Sequence, residues 1–141
     1  MAQQLSVFLE NAPGRLSRLA RTLGDHDINM HALVLADTSD YGVARIICDK
    51  TDQAVQALRD EGFSVTITDV VAVEVPDRPG ALADLLEAIA AADIDISYSY
   101  CYVEPHTKNA VNVFRLKNAG GEDIVRATGF RVLRNEDLHS A

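Results

Sequence analysis

The sequence predicts an α+β fold of two tandem β-α-β-β-α-β modules, and three observations carry that prediction. Shifting the chain on itself by 66 residues lays "NAPGRLSRLARTLGDHDINM" (Asn11 to Met30) over "DRPGALADLLEAIAAADIDI" (Asp77 to Ile96). Within each copy, the spacing of apolar residues switches between a period of about 2 and a period of about 3.6, the marks of strands and amphipathic helices. No Gly/Ser-rich linker separates the copies. A duplication held in one register marks a repeated supersecondary unit.

The elements follow in order. "LSVFL" and "VVAVEV" alternate, with Leu5, Val7 and Leu9 falling on Val71, Val73 and Val75, and read as first strands. Leu16, Leu19, Ala20 and Leu23 stand at i, i+3, i+4 and i+7, and Leu82, Leu85, Leu86 and Ile89 repeat that stripe, so a helix follows each strand. "INMHALVLA" and "IDISYSYCYV" are predicted second strands; "YGVARIICD" and "NAVNVFRL" are predicted third strands. "TDQAVQALRDEG" reads as a short helix capped by Thr51 or Asp52 and closed by Gly62, and "GGEDIVRATG" as a shorter counterpart. One added residue brings "EGFSV" over "TGFRV", so "FSVTITDV" and "FRVLRNEDL" close the modules as fourth strands. The order is that of the split βαβ, or ferredoxin-like, arrangement: an antiparallel sheet with helices on one face. The expected domains are residues 1–69 and 70–141, packed side by side, since the run Phe63 to Val75 passes almost directly from one module into the next.

Composition narrows the function. The chain is 48% hydrophobic and 24% charged, ordinary for a globular protein with a core. Each half alone would bury a lower fraction of its surface than a larger domain and leave sheet edges unpaired, which favours association of the halves or a homodimer. A net charge of −8 argues against nucleic-acid binding, which needs a basic stripe. No apolar run approaches the roughly 20 residues of a membrane span. The start "MAQQLSVFLE" lacks a positive n-region, so it does not read as a signal peptide and a cytoplasmic location is expected. Cys48 and Cys101 lie outside any CxxC, and His26, His31, His106 and His139 are scattered, so no metal site, cofactor or catalytic thiol is expected. GxSxG, P-loop and GxGxxG patterns are absent.

Two Pro-Gly loops remain, "ENAPGRL" and "VPDRPGAL". Proline presets φ for the approach to a helix, and glycine lets the backbone turn sharply and be approached closely. Beyond each lies a helix N-terminus with unpaired N–H groups and partial positive charge, a receptor for a small carboxylate. Asn11 and Asp77 stand where a side chain either caps the helix or takes an amino group.

On these residues the chain resembles the ACT domains, regulatory modules that bind amino acids. Their signature resembles an apolar strand, then [DN]-x-P-G-x-L opening a helix, then x-x-x-I-N-I beginning the second strand. The matching segments here are "FLENAPGRLSRLARTLGDHDINM" and "VEVPDRPGALADLLEAIAAADIDI". The resemblance covers essentially the whole chain and implies a free-standing tandem ACT protein that binds rather than catalyses. It implies an amino acid held at a seam between modules or subunits. The residues it points to are Asn11, Ala12, Pro13, Gly14, Arg15 and Leu16 in the first copy, and Asp77, Arg78, Pro79, Gly80, Ala81 and Leu82 in the second. The amides at Arg15-Leu16 or Ala81-Leu82 would receive the carboxylate, and Asn11 or Asp77 the ammonium; Asn29 and Asp95 would contribute from across the seam or serve as turn residues.

The copies differ at their second strands. "YSYCY" puts Tyr98, Tyr100 and Tyr102 on one face and Ser97, Ser99 and Cys101 on the other, where the first copy has His31, Leu33 and Leu35. Parity alone does not say which face meets the helices, because a bulge would reverse it. Three alternatives share the topology. One is an interaction subunit of an amino-acid biosynthetic enzyme with no ligand of its own. Another is an acylphosphatase-like hydrolase using Arg15 or Arg78, although each loop has one glycine rather than a full phosphate cradle. An RNA-recognition module using the tyrosines is disfavoured by the acidic charge.

Overall fold

The computed structural model describes residues 1–10, 12–37, 41–104 and 107–139. The chain divides into two compact units, Gln3–Thr68 and Met1–Ala2 with Asp69–Ala141. The first contains β1 (Ala2–Glu10, beginning one residue outside the unit), α1 (Arg15–Asp25), β2 (Met30–Asp37), β3 (Tyr41–Cys48), α2 (Thr51–Asp60) and the start of β4 (Ser64–Val75). The second contains the rest of β4, α3 (Ala81–Ala91), β5 (Ile96–Val103), β6 (Ala110–Leu116), α4 (Gly121–Ala127), β7 (Arg131–Leu133) and α5 (Asn135–His139).

Each unit is an α+β module with an antiparallel sheet and its helices on one face. In the first, β3 pairs with both β1 and β2, and β1 neighbours β4, giving the order β2-β3-β1-β4. In the second, β4 pairs with β6 and β7, and β6 with β5, giving β5-β6-β4-β7. The orders match element for element. The expected fourth strand of the first copy and first strand of the second are one twelve-residue strand, β4.

Alternation decides which face is buried. Leu5, Val7 and Leu9 of β1 and Ala44, Ile46 and Cys48 of β3 form one core with Leu19 and Leu23 of α1 and Val55 and Leu58 of α2. Val71, Val73, Val75 and Phe114 do the same with Leu85, Ile89 and Val125 in the second unit. Turn bonds repeat as well: Ile28 N donates to Leu23 O at 3.0 Å and Ile94 N to Ile89 O at 3.3 Å, with Asp27 and Asp93 both at φ 58°. On the far face of the first sheet, Gln4 Nε2 donates to Ser6 Oγ (3.0 Å), and that hydroxyl lies 2.9 Å from Thr68 Oγ1.

Three expectations are corrected. Neither Thr51 nor Asp52 caps α2: the helix starts at Thr51 after Lys50 in the left-handed region with no side-chain cap, and the Thr51 hydroxyl donates to Gln3 Oε1 at 2.9 Å. "FRVLRNEDL" is a strand only through Leu133. Arg134 N donates to Asp137 Oδ2 at 2.9 Å, and this local bond opens α5 instead of extending the strand. The stripe of α3 splits: Leu85 and Ile89 are 0% and 1% exposed, whereas Leu82 and Leu86 are 42% and 38% exposed. The i, i+4 rows 85/89 and 82/86 lie side by side on a helix, and the sheet meets only the first. Among the described residues no helix is long and apolar enough to cross a membrane.

Candidate functional site

The two Pro-Gly loops are built alike down to single bonds. Ala12 N donates to Glu10 O (2.8 Å) and Arg78 N to Pro76 O (2.9 Å), tightening each strand exit. Arg15 N then donates to Ala12 O (3.4 Å) and Ala81 N to Arg78 O (3.2 Å). Gly14 O and Gly80 O accept the first helical bonds from Arg18 N (2.9 Å) and Asp84 N (3.0 Å). Both glycines sit at positive φ, 84° and 86°, immediately before their helices. That left-handed step turns the chain onto the helix axis, and it is the conformation glycine takes without penalty.

No side chain caps α1 or α3, so Asp77, which is exposed, does not cap α3; Asn11 lies outside the described residues. The Arg15 and Ala81 amides already bond within their turns, so the first-turn amides without an intrahelical acceptor begin at Leu16 and Leu82. Ala12, Pro13, Pro79 and Gly80 are exposed, Leu16 is half-buried and Ala81 is buried.

Side chains make the loops unlike. In the first unit Arg15 Nη2 reaches Glu10 Oε2 at 3.2 Å, spanning the loop. Beside that pair opens a cavity of about 170 Å³ lined by Leu9, Glu10, Ala12, Arg15, Leu16, Leu35 and Gly42. A smaller hollow of about 70 Å³ lies between Arg15, Phe8, Arg18 and Phe63. Its wall is fixed by the Arg18 guanidinium, 5.1 Å over the Phe63 ring and donating to the Glu61 carbonyl. In the second unit the loop cation, Arg78, turns to Asp84 Oδ2 at 3.4 Å. Each loop arginine is thus held by a carboxylate instead of standing over an open anion cradle.

Asn29 and Asp95 stand apart from the loops of their own units. Asn29 N donates to Asp49 Oδ1 (2.9 Å) and its carbonyl accepts from Asp49 N (3.1 Å). Asp95 N donates to Asn118 Oδ1 (2.8 Å), and its carbonyl accepts from Lys117 N (3.0 Å). The registers explain the separation. Leu9 pairs with Gly42 at the loop end of the sheet, and Met30 with Cys48 at the other end. The six residue steps of strand from Gly42 to Cys48 span about 20 Å. Within one unit the loop is joined instead by Leu35 and Gly42, which the sequence motif does not contain. The signal for them was the module topology, because pairing the third strand with the first brings the β2–β3 end beside the loop.

The tyrosine row occupies the face away from the helices. Ser99 pairs with Phe114, a core residue, while Tyr98, Tyr100 and Tyr102 pair with Arg115, Val113 and Val111 on the other side. A register irregularity between Ile96 and Tyr98 reverses the parity, so Ile96 still packs on the core. The tyrosines are half-buried, and burial, reinforced by Glu104, pushes the Tyr102 phenol up to about 12. Cys101 is exposed; Cys48 is buried, and burial plus Asp49 pushes its thiol up to about 12. The expected hairpin position of His106 lies outside the described residues. Among the described residues no three His, Cys, Asp or Glu side chains gather as a metal site.

Comparison with known proteins places these features. A crystallised protein of Bacteroides thetaiotaomicron is 36% identical, with a TM-score of 0.91 over 99% of this chain and 96% of that one. The ligand-free regulatory subunit of aspartate kinase from Thermus thermophilus shares the fold at 16% identity, TM-score 0.64 and 90% coverage of both chains. That from Thermus flavus does so at 17% identity, TM-score 0.61 and the same coverage. No curated protein sequence matches the chain. The family model described as an ACT domain pair matches residues 1–140, and the chain therefore belongs to the ACT domain family, as a tandem pair.

Proposed function

We infer that this protein is a non-catalytic, cytoplasmic regulator that binds a free amino acid at a Pro-Gly loop. The observation that carries this reading is the duplicated loop: the same three backbone bonds and the same positive-φ glycine open α1 and α3. Glycine without a side-chain cap leaves the following first-turn amides accessible to a carboxylate. Membership of a family of regulatory modules supports the same conclusion.

Asn29 and Asp95 each stand a strand length from the loop of their own unit, and the proposal includes a homodimer in which a partner copy brings them to that loop. Occupancy shifts the equilibrium between arrangements in proportion to the ligand's differential affinity, and a metabolic enzyme partner reads the result. A thermal-shift screen against the twenty amino acids tests the reading, because a ligand that binds only the folded state raises the melting temperature. A rise with at least one amino acid is expected, abolished by Gly14→Val or Gly80→Val in a variant that still folds. Flat responses to all twenty would overturn it.

A further inference from the structure

The Glu10–Arg15 pair presents two opposite charges 3.2 Å apart at the edge of a cavity whose other walls are largely aliphatic: Leu9, Leu16 and Leu35, with Gly42 between. A Cβ at Gly42 would stand 3.1 Å from Leu35 Cδ1, so the glycine gives that leucine its place over the strand. The duplicate has neither charge at the equivalent positions, and its loop arginine, Arg78, pairs with Asp84 on the helix instead. At the 66-residue shift Glu10 becomes Pro76 and Arg15 becomes Ala81. We propose that the first unit alone binds an aliphatic L-amino acid, its carboxylate on Arg15, its ammonium on Glu10 and its side chain against Leu9, Leu16 and Leu35. This rests on the amino-acid reading above and narrows it to one loop and one ligand class.

The physical balance favours the exchange. Both side chains are solvent-exposed, 78% for Glu10 and 40% for Arg15, and an exposed pair contributes little to stability, so parting it costs little. A zwitterion inserted between them replaces one ion pair by two charge-assisted hydrogen bonds and leaves neither ion unpaired. The open cavity of about 170 Å³ offers an aliphatic side chain the apolar walls of Leu9, Leu16 and Leu35. A charged side chain would be placed against three leucines without a partner.

Calorimetric titration of the full chain with L-leucine, L-valine, L-phenylalanine, L-aspartate and L-lysine decides the matter, with Glu10→Gln, Arg15→Gln and the control Arg21→Gln as variants. Expected is one aliphatic ligand per chain, bound about tenfold or more weakly by Glu10→Gln and Arg15→Gln, and unchanged by Arg21→Gln. Unaltered melting temperatures in the three unliganded variants separate lost binding from lost folding. Preference for aspartate, lysine or phenylalanine, two ligands per chain, or wild-type affinity in Glu10→Gln and Arg15→Gln would overturn this inference while leaving the amino-acid reading intact. Absence of binding by any of the twenty amino acids would remove both.

Discussion

Replacing Gly14 by alanine tests the loop geometry without touching any neighbour. An added Cβ meets nothing within 4 Å, so the whole effect is backbone strain at φ +84°. Holding an L-residue in the left-handed region costs about 1–2 kcal/mol, and reduced freedom of the unfolded chain returns about 0.4–1 kcal/mol. A net destabilisation of about 1 kcal/mol follows. Gly24, in α1 of the same unit, supplies the control: its Cβ would also meet nothing within 4 Å, and its φ is not positive. Alanine there should stabilise by about 0.5–1 kcal/mol through helix propensity. Urea unfolding of the two variants should thus move the midpoint in opposite directions by roughly 0.5 M at constant slope. A Gly14→Ala midpoint equal to or above wild type would refute the left-handed helix start, and with it the shared geometry of the two loops.

Other consequences are as direct. Leu85→Ala should cost about 2–5 kcal/mol, because Leu85 is 0% exposed. Leu86→Ala should cost under about 1 kcal/mol, since that side chain is 38% exposed, and equal losses in denaturant titrations would contradict the placement of α3. Iodoacetamide at pH 8 should label exposed Cys101 in the folded protein and reach Cys48, whose thiol is held up at about 12, only after denaturation; peptide mass spectrometry reads the difference. The Tyr102 phenol is raised from an ordinary 10.0 to about 12, so the unfolded chain loses this proton first. The stability it contributes is full below pH 10 and is lost as pH rises through about 12. Tyr102→Phe should flatten that alkaline loss, and parallel alkaline curves for variant and wild type would contradict the burial of the phenol.

What was legible in the sequence was what is local or periodic. Leu5, Val7 and Leu9, or Leu19 and Leu23, declare their element because a period of 2 or 3.6 is written in neighbouring residues, and the 66-residue register doubles each signal. Gly14 and Gly80 were legible because a left-handed turn is a property of one residue. Phase and long-range pairing were not. Which of the rows 82/86 and 85/89 faces the core depends on where the sheet lies. The side taken by Tyr98, Tyr100 and Tyr102 depends on an irregularity after Ile96 that reverses parity. The strand read over "FRVLRNEDL" ends early because the local bond between Arg134 and Asp137 opens a helix at Asn135–His139. At the first loop, Leu35 and Gly42 meet Glu10 and Arg15 only because β3 pairs with β1, a contact between residues some thirty positions apart. A period states that side chains alternate. Which side is inside, and which distant residues share a cavity, is decided only when strands pair.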